Sequence, residues 1–184
     1  MSPRSIPRPF AACLPEFRNP PMAAVGDKWQ SKLMASEEST FETELRAALA
    51  SPVKAGLIEI VPHSDGIATR LSEAFPFFGS KIDWRATKGH LGALEPSRDR
   101  ELPTFSAFFH RRSEELGRES VAYYLNDNQI DCSLRASLWT FSQYLQPIIE
   151  MPSHHYFVGD DLGWCMALTM EGDIDFGYAP GDVR

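Results

Sequence analysis

The residues best equipped for chemistry lie between His154 and Tyr178, in the stretch HHYFVGDDLGWCMALTMEGDIDFGY. It holds two histidines, one cysteine and five carboxylates among aromatic residues. His154 or His155 with Asp160, Asp161, Glu171 or Asp173 would supply the nitrogen and oxygen donors of a small metal-dependent hydrolase. Adjacent histidines on a strand point to opposite faces, so only one could join a given site. No HExxH spacing is present, and EGDIDFG lacks the regular acidic spacing of an EF-hand loop. Asp173 and Asp175 would share a strand face, where a carboxylate pair with shifted pKa values could serve as general acid and base. Outward carboxylates on an edge strand more commonly serve to discourage aggregation. Cys165 would need a stabilised, accessible thiolate to act as a nucleophile. Its strand position, alternating away from Trp164, reads instead as a packed thiol.

The elements that would carry these residues are three short strands. HYFV is a strand, GDDLG a turn, WCMALTM a strand, EGD a turn and IDFGY a strand. Trp164, Met166, Leu168 and Met170 alternate onto one face, as do Ile174, Phe176 and Tyr178. Asp160, Asp161, Glu171 and Asp173 then fall in or beside turns, where short acidic residues are favoured. The stretch is a β-meander first and a candidate site second.

Upstream, SEESTFETELRAALAS has a capping-box spacing from Ser39 to Glu42 and a helical apolar stripe of Phe41, Leu45, Ala48 and Leu49. GLIEIVP predicts a short buried strand ending at Pro62, and HSDGIATRLSEAFP a helix stopped by Pro76. SKIDWRAT is a strand candidate, and KGHLGALEPSRDRELP reads as a long polar connection. TFSAFFHRRSEELG predicts a helix with Phe105, Phe108, Phe109 and Leu116 inward and Gly117 as its C-cap. SVAYYL and QIDCSLR flank NDN as a hairpin. Ser137 caps a further helix that Pro147 kinks or shortens. Helices and strands in mixed order, with hairpins outnumbering parallel crossovers, predict an α+β fold: a largely antiparallel sheet with a C-terminal β-meander and helices packed mainly on one face.

Residues 1–33 hold six of the fourteen prolines and carry a net charge of +3, which predicts a disordered tail ahead of a single α+β domain over 34–184. Met34 is an alternative start. Residues 150–184 carry −6 of the chain's total of −7. That face would repel phosphates, which argues against nucleic acid, and would attract a basic partner. The bases near FFHRR fit ion pairs with Glu114 and Glu115 better than a nucleic-acid groove. No apolar run is long enough to span a membrane. Three widely spaced cysteines without a CxxC pair suit a reduced cytoplasm, and the N-terminal stretch lacks the apolar region of a secretion signal. The chain has no GxSxG, P-loop or GxGxxG sequence, and no cofactor or metal is expected.

One resemblance bears on function. In LQPIIEMPSHHYFVGDDLGWCMALTMEGDIDFG a helix leads to an HHYF strand, an acidic turn, WC, MEGD and a closing FG. This pattern resembles small bacterial immunity proteins of contact-dependent inhibition and other polymorphic toxin systems. It covers about a fifth of the chain. The resemblance implies a non-enzymatic protein that binds a cognate toxin domain, often a basic nuclease, and blocks it. It transfers no contact residue. Charge alone nominates Asp160, Asp161, Glu171, Asp173 and Asp175 as the partner-binding face, and no residue is assigned a catalytic role. The expectation is therefore a protein-binding domain, with the metal-dependent hydrolase as the alternative.

Overall fold

A computed structural model describes residues 40–95, 97–127 and 129–181 of the chain. The predicted tail over 1–33 and the Ser39 cap lie outside the described residues. Helices α1 (Thr40–Ala48) and α2 (Ala50–Lys54) lead to β1 (Glu59–Pro62) and α3 (Asp65–Ala74). A small hairpin of β2 (Phe77–Phe78) and β3 (Lys81–Ile82) and a 3₁₀ turn at Trp84–Ala86 precede β4 (Lys88–Leu94) and α4 (Arg98–Leu116). β5 (Val121–Asn126), β6 (Cys132–Ser137), α5 (Leu138–Gln143) and α6 (Leu145–Ile149) follow. The meander β7 (His155–Gly159), β8 (Trp164–Leu168) and β9 (Asp173–Tyr178) closes the described chain.

Seven strands form one sheet in the order β1-β6-β5-β7-β8-β9-β4, every neighbouring pair antiparallel. The fold is α+β, with six α-helices among the described residues and the C-terminal strands as a meander. One sheet face is covered by α1, α4, α5 and α6, whose Leu45, Phe105, Phe109, Leu138, Phe141 and Ile148 bury against Tyr124, Phe157, Met166 and Phe176. Phe157 sits at the centre, its ring 4.9 Å from Phe109, 5.2 Å from Tyr124 and 5.4 Å from Phe141. Truncating such a ring to alanine costs about 3–5 kcal/mol, so this cluster dominates the stability of the sheet. The other face is thinner: α3 and the small hairpin cover it with Leu71, Phe75 and Ile82, packed on Tyr156, Val158, Cys165 and Ala167.

Local chemistry explains where the elements begin and end. Ser137 Oγ accepts from the Thr140 N–H at 3.1 Å, the predicted cap. The helix it starts breaks at Tyr144, three residues before Pro147, because proline cannot donate into the preceding turn. Gly117 takes a positive φ of 92° and ends α4.

Four expectations need correction. The segment 88–103 is not a connection: 88–94 is a seven-residue strand and α4 starts at Arg98, with Pro103 inside it. The predicted buried strand ending at Pro62 is an edge strand whose residues are exposed or half-buried; the buried anchor, Ile58, lies just before it. SKIDWRAT yields only two strand residues before the 3₁₀ turn. Met170 leaves the apolar stripe of β8 and lies exposed in the next turn, and Tyr178 is partly exposed at the end of β9.

Candidate functional site

The meander places the five nominated carboxylates at different stations. Asp160 and Asp161 sit in the β7–β8 turn, Glu171 in the β8–β9 turn, and Asp173 and Asp175 on β9. The two turns lie at opposite ends of the five-residue β8, roughly 17 Å apart at strand spacing. The five do not form one contiguous surface.

The β7–β8 turn is built for structure. Asp161 Oδ1 accepts from the Gly163 N–H at 2.9 Å, an Asx turn, and Leu162 adopts a positive φ of 59°. A Cβ at Gly159 would meet Trp164 Nε1 at 2.6 Å, so only glycine lets the indole close over the strand end. Asp160 pairs with Arg135 on β6 at 3.3 Å, and that hydrogen-bonded guanidinium holds its carboxyl below the ordinary carboxylate range.

The β8–β9 turn faces the other way and reaches β4. Thr169 Oγ1 accepts from the Asp173 N–H at 3.1 Å, and Gly172 turns the chain with φ 84°. Glu171 pairs with Lys81 at 2.8 Å, which lowers its pKa. Its carboxylate also lies 3.9 Å from His154 Nδ1, the one approach between the nominated histidines and acids among the described residues. That nitrogen accepts from the Met170 N–H at 3.2 Å, so His154 serves the turn. Leu94 on β4 stands directly opposite Asp173, and Gly92 opposite Asp175. Asp175 pairs with His90 Nε2 at 2.7 Å, and Trp84 stacks on that imidazole at 6.1 Å. Burial raises the Asp175 pKa, with His90 opposing the shift.

His155 lies on the opposite face, inside the main core. Its Nε2–H donates to the Met151 carbonyl at 3.0 Å, leaving Nδ1 to accept from the Tyr124 hydroxyl at 3.0 Å. Asn126 Nδ2 donates to the same hydroxyl at 3.2 Å, and Ser153 Oγ to Asn126 Oδ1 at 3.1 Å. A neutral imidazole satisfies this chain, and burial pushes the His155 pKa down to about 4. His155 and the carboxylates therefore do not converge. Among the described residues, no three His, Cys, Asp or Glu side chains gather closely enough to hold a metal ion. Cys165 is fully buried, and burial pushes both its pKa and that of Cys132 up, the latter to about 12. Neither thiol offers the accessible thiolate that a nucleophile needs.

The residues that sequence reasoning missed are on β4 and beside it. Leu91 and Leu94 are 43% and 63% exposed on opposite faces of β4, and Met170 in the β8–β9 turn is 54% exposed. A weak signal existed, since HLGAL alternates. The two glycines of KGHLGAL and its charged flanks masked it as a connection. No protein-family model matches the chain, and no curated protein matches it.

Proposed function

We propose that the protein works by binding another protein in the cytoplasm, as an immunity protein that neutralises a basic toxin domain. Its contact surface would be the sheet edge formed by β4 and the β8–β9 turn. The observation supporting this is exposed apolar side chains at a sheet edge that also carries acids: Leu94 on β4 stands opposite Asp173, Met170 shares the β8–β9 turn with Glu171, and Leu91 is exposed on the other face of β4. Apolar anchors ringed by polar groups are the anatomy of a recognition surface. The carboxylates would steer a basic partner and the apolar groups would hold it. Asp160 and Asp161, at the far end of β8, would add only to the long-range field. No helix among the described residues is long and apolar enough to cross a membrane.

A pull-down from source-cell lysate at low and high salt tests the reading, using the wild type, L94D/M170D and D160N/D161N. A basic domain should be retained at low salt, lost with L94D/M170D and kept by D160N/D161N. Co-production with the retained domain should then rescue growth. Retention that ignores L94D/M170D, or a retained domain without toxicity, would defeat the proposal.

A further inference from the structure

We propose that β4 receives an extended, acidic segment of the partner as an added strand, and that a groove under α4 takes a carboxylate of that segment. This rests on the protein-binding reading and supplies its mode of recognition: the acidic segment is a local strand of a partner that is basic overall, its carboxylate meeting the α4 side while Asp173 and Asp175 lie on the other face of the sheet.

β4 ends the sheet: it pairs with β9 on one side, and among the described residues no strand pairs with the other. A row of backbone N–H and C=O groups therefore faces outward along seven exposed residues, none of them proline. Such an edge is a template for strand addition, in which backbone bonds supply affinity and alternate side chains supply specificity.

The groove supplies the specificity. It has a volume of about 560 Å³, with Ala93, Ile174 and Phe108 forming its apolar part and Arg100 and Arg111 of α4 among its lining. Ala93 and Ile174 are cross-strand partners, so the groove stands over one row of the sheet. The next place outward in that row belongs to the incoming strand. Every second side chain of that strand would point toward the α4 side, where the two guanidiniums lie. Arg100 is already paired with Glu95 at 3.1 Å. Arg111 is exposed and makes no ion pair among the described residues. A carboxylate with an aliphatic stem fits this lining, whereas an ammonium there would be repelled. A second copy of β4 fits poorly as occupant, because KGHLGAL contains no acid.

The test uses labelled synthetic peptides of about ten residues, alternating valine with Glu, Gln or Lys, titrated with the full chain by fluorescence anisotropy. The Glu peptide should bind about tenfold or more tightly than the Lys peptide. N-methylation of alternate amides along one edge should abolish binding, and R111E should reverse the charge preference. Equal affinities for the three peptides, undiminished binding after N-methylation of either edge, or no peptide binding at all would each overturn strand addition. So would a concentration-dependent dimer dispersed by L91K/L94K, which would assign the edge to a second copy. A lysate partner lost with L94D/M170D but indifferent to R111E and to competing Glu peptide would overturn strand addition and leave the broader reading standing. Peptide binding that obeys the charge and N-methyl rules, while no partner depends on Leu94 and Met170, would support strand addition and sink the broader reading.

Discussion

The two edges of the sheet occupy equivalent positions and are treated in opposite ways. β1 is four residues long, ends in Pro62, and is flanked by the Arg135–Glu59 pair at 3.5 Å. Its Ile60 and Val61 are half-buried. β4 is seven residues long, has no proline and is exposed throughout. Short length and proline are common devices for closing an edge to further pairing. β1 has both; β4 has a bulge between Lys88 and Leu91 and little else. Yet β4 is not loosely attached. The Glu95 N–H donates to the Gly172 carbonyl at 2.9 Å, Lys88 Nζ to the Gly181 carbonyl at 3.0 Å, and His90 holds Asp175. An edge that is firmly held and, among the described residues, left open differs physically from one that frays, and the contrast can be tested.

The largest expected effect sets both edges against the middle of the sheet. β7 is the fourth of seven strands, and its His155 is neutral in the fold, with a pKa near 4 against 6.5 for a free imidazole. The unfolded chain therefore binds the extra proton as pH falls below about 6.5, while the folded chain resists until about 4. Stability should be fully present above that window and should decline through it by on the order of 3 kcal/mol. Arg98 and His154 push in the same direction. Asp175 works the other way, because its raised pKa lets the folded chain take up a proton first. Urea unfolding across this range should show the slope in the wild type and lose it in His155→Phe. A slope that survives the substitution would clear the histidine.

Next in size is an attack on the seating of β4. A Cβ at Gly177 would fall on Thr87 Oγ1, with Thr87 Cβ at 2.8 Å. That hydroxyl is already bonded to the Trp84 carbonyl at 2.7 Å, so the turn leading into β4 has little freedom to yield. Gly177→Val should cost about 2 kcal/mol, with protection from hydrogen exchange lost first along 88–94. At the other edge, Pro62→Ala should stay within about 0.5 kcal/mol. Equal costs, or loss of protection spread evenly over the sheet, would show that β4 is not seated through this turn.

The unequal legibility of the molecule follows the same contrast. Strands near the centre declared themselves: WCMAL and HYFV are apolar and bounded by turn residues, and the NDN hairpin is flanked by β-formers. Their burial and their sequence say the same thing. β4 buries none of its seven residues, so hydrophobic periodicity had almost nothing to report, and its glycines imitate a loop. β9 pairing, a tertiary effect, makes it a strand. β1 was recognised as a strand but misjudged as buried, because an isolated apolar run does not say which neighbours it will have. The candidate site suffered likewise. The acids were visible, but the turns that separate Asp160 from Glu171 place them at opposite ends of β8. Leu94, which gives Asp173 an apolar neighbour, was hidden in the unread strand.

The smallest expected effect on stability is also the sharpest on the comparison. Glu171 and Asp160 are both exposed acids paired with a single base, Lys81 at 2.8 Å and Arg135 at 3.3 Å. Exposed pairs of this kind contribute about 0–1 kcal/mol, so Glu171→Gln and Asp160→Asn should each leave the unfolding midpoint nearly unchanged. Their allegiances differ. Arg135 also reaches Glu59, which ties Asp160 to the closed β1 side. Glu171 lies in the turn beside Leu94, on the open side. If the open edge is where a basic partner docks, association at low salt should slow in Glu171→Gln by roughly two- to threefold and hardly change in Asp160→Asn. The difference should fade as salt is raised, since steering is screened over about 10 Å at 0.1 M. Two variants with equal stability and equal on-rates would mean that the acidic turns act only as a diffuse field, and the asymmetry of the edges would then have no counterpart in recognition.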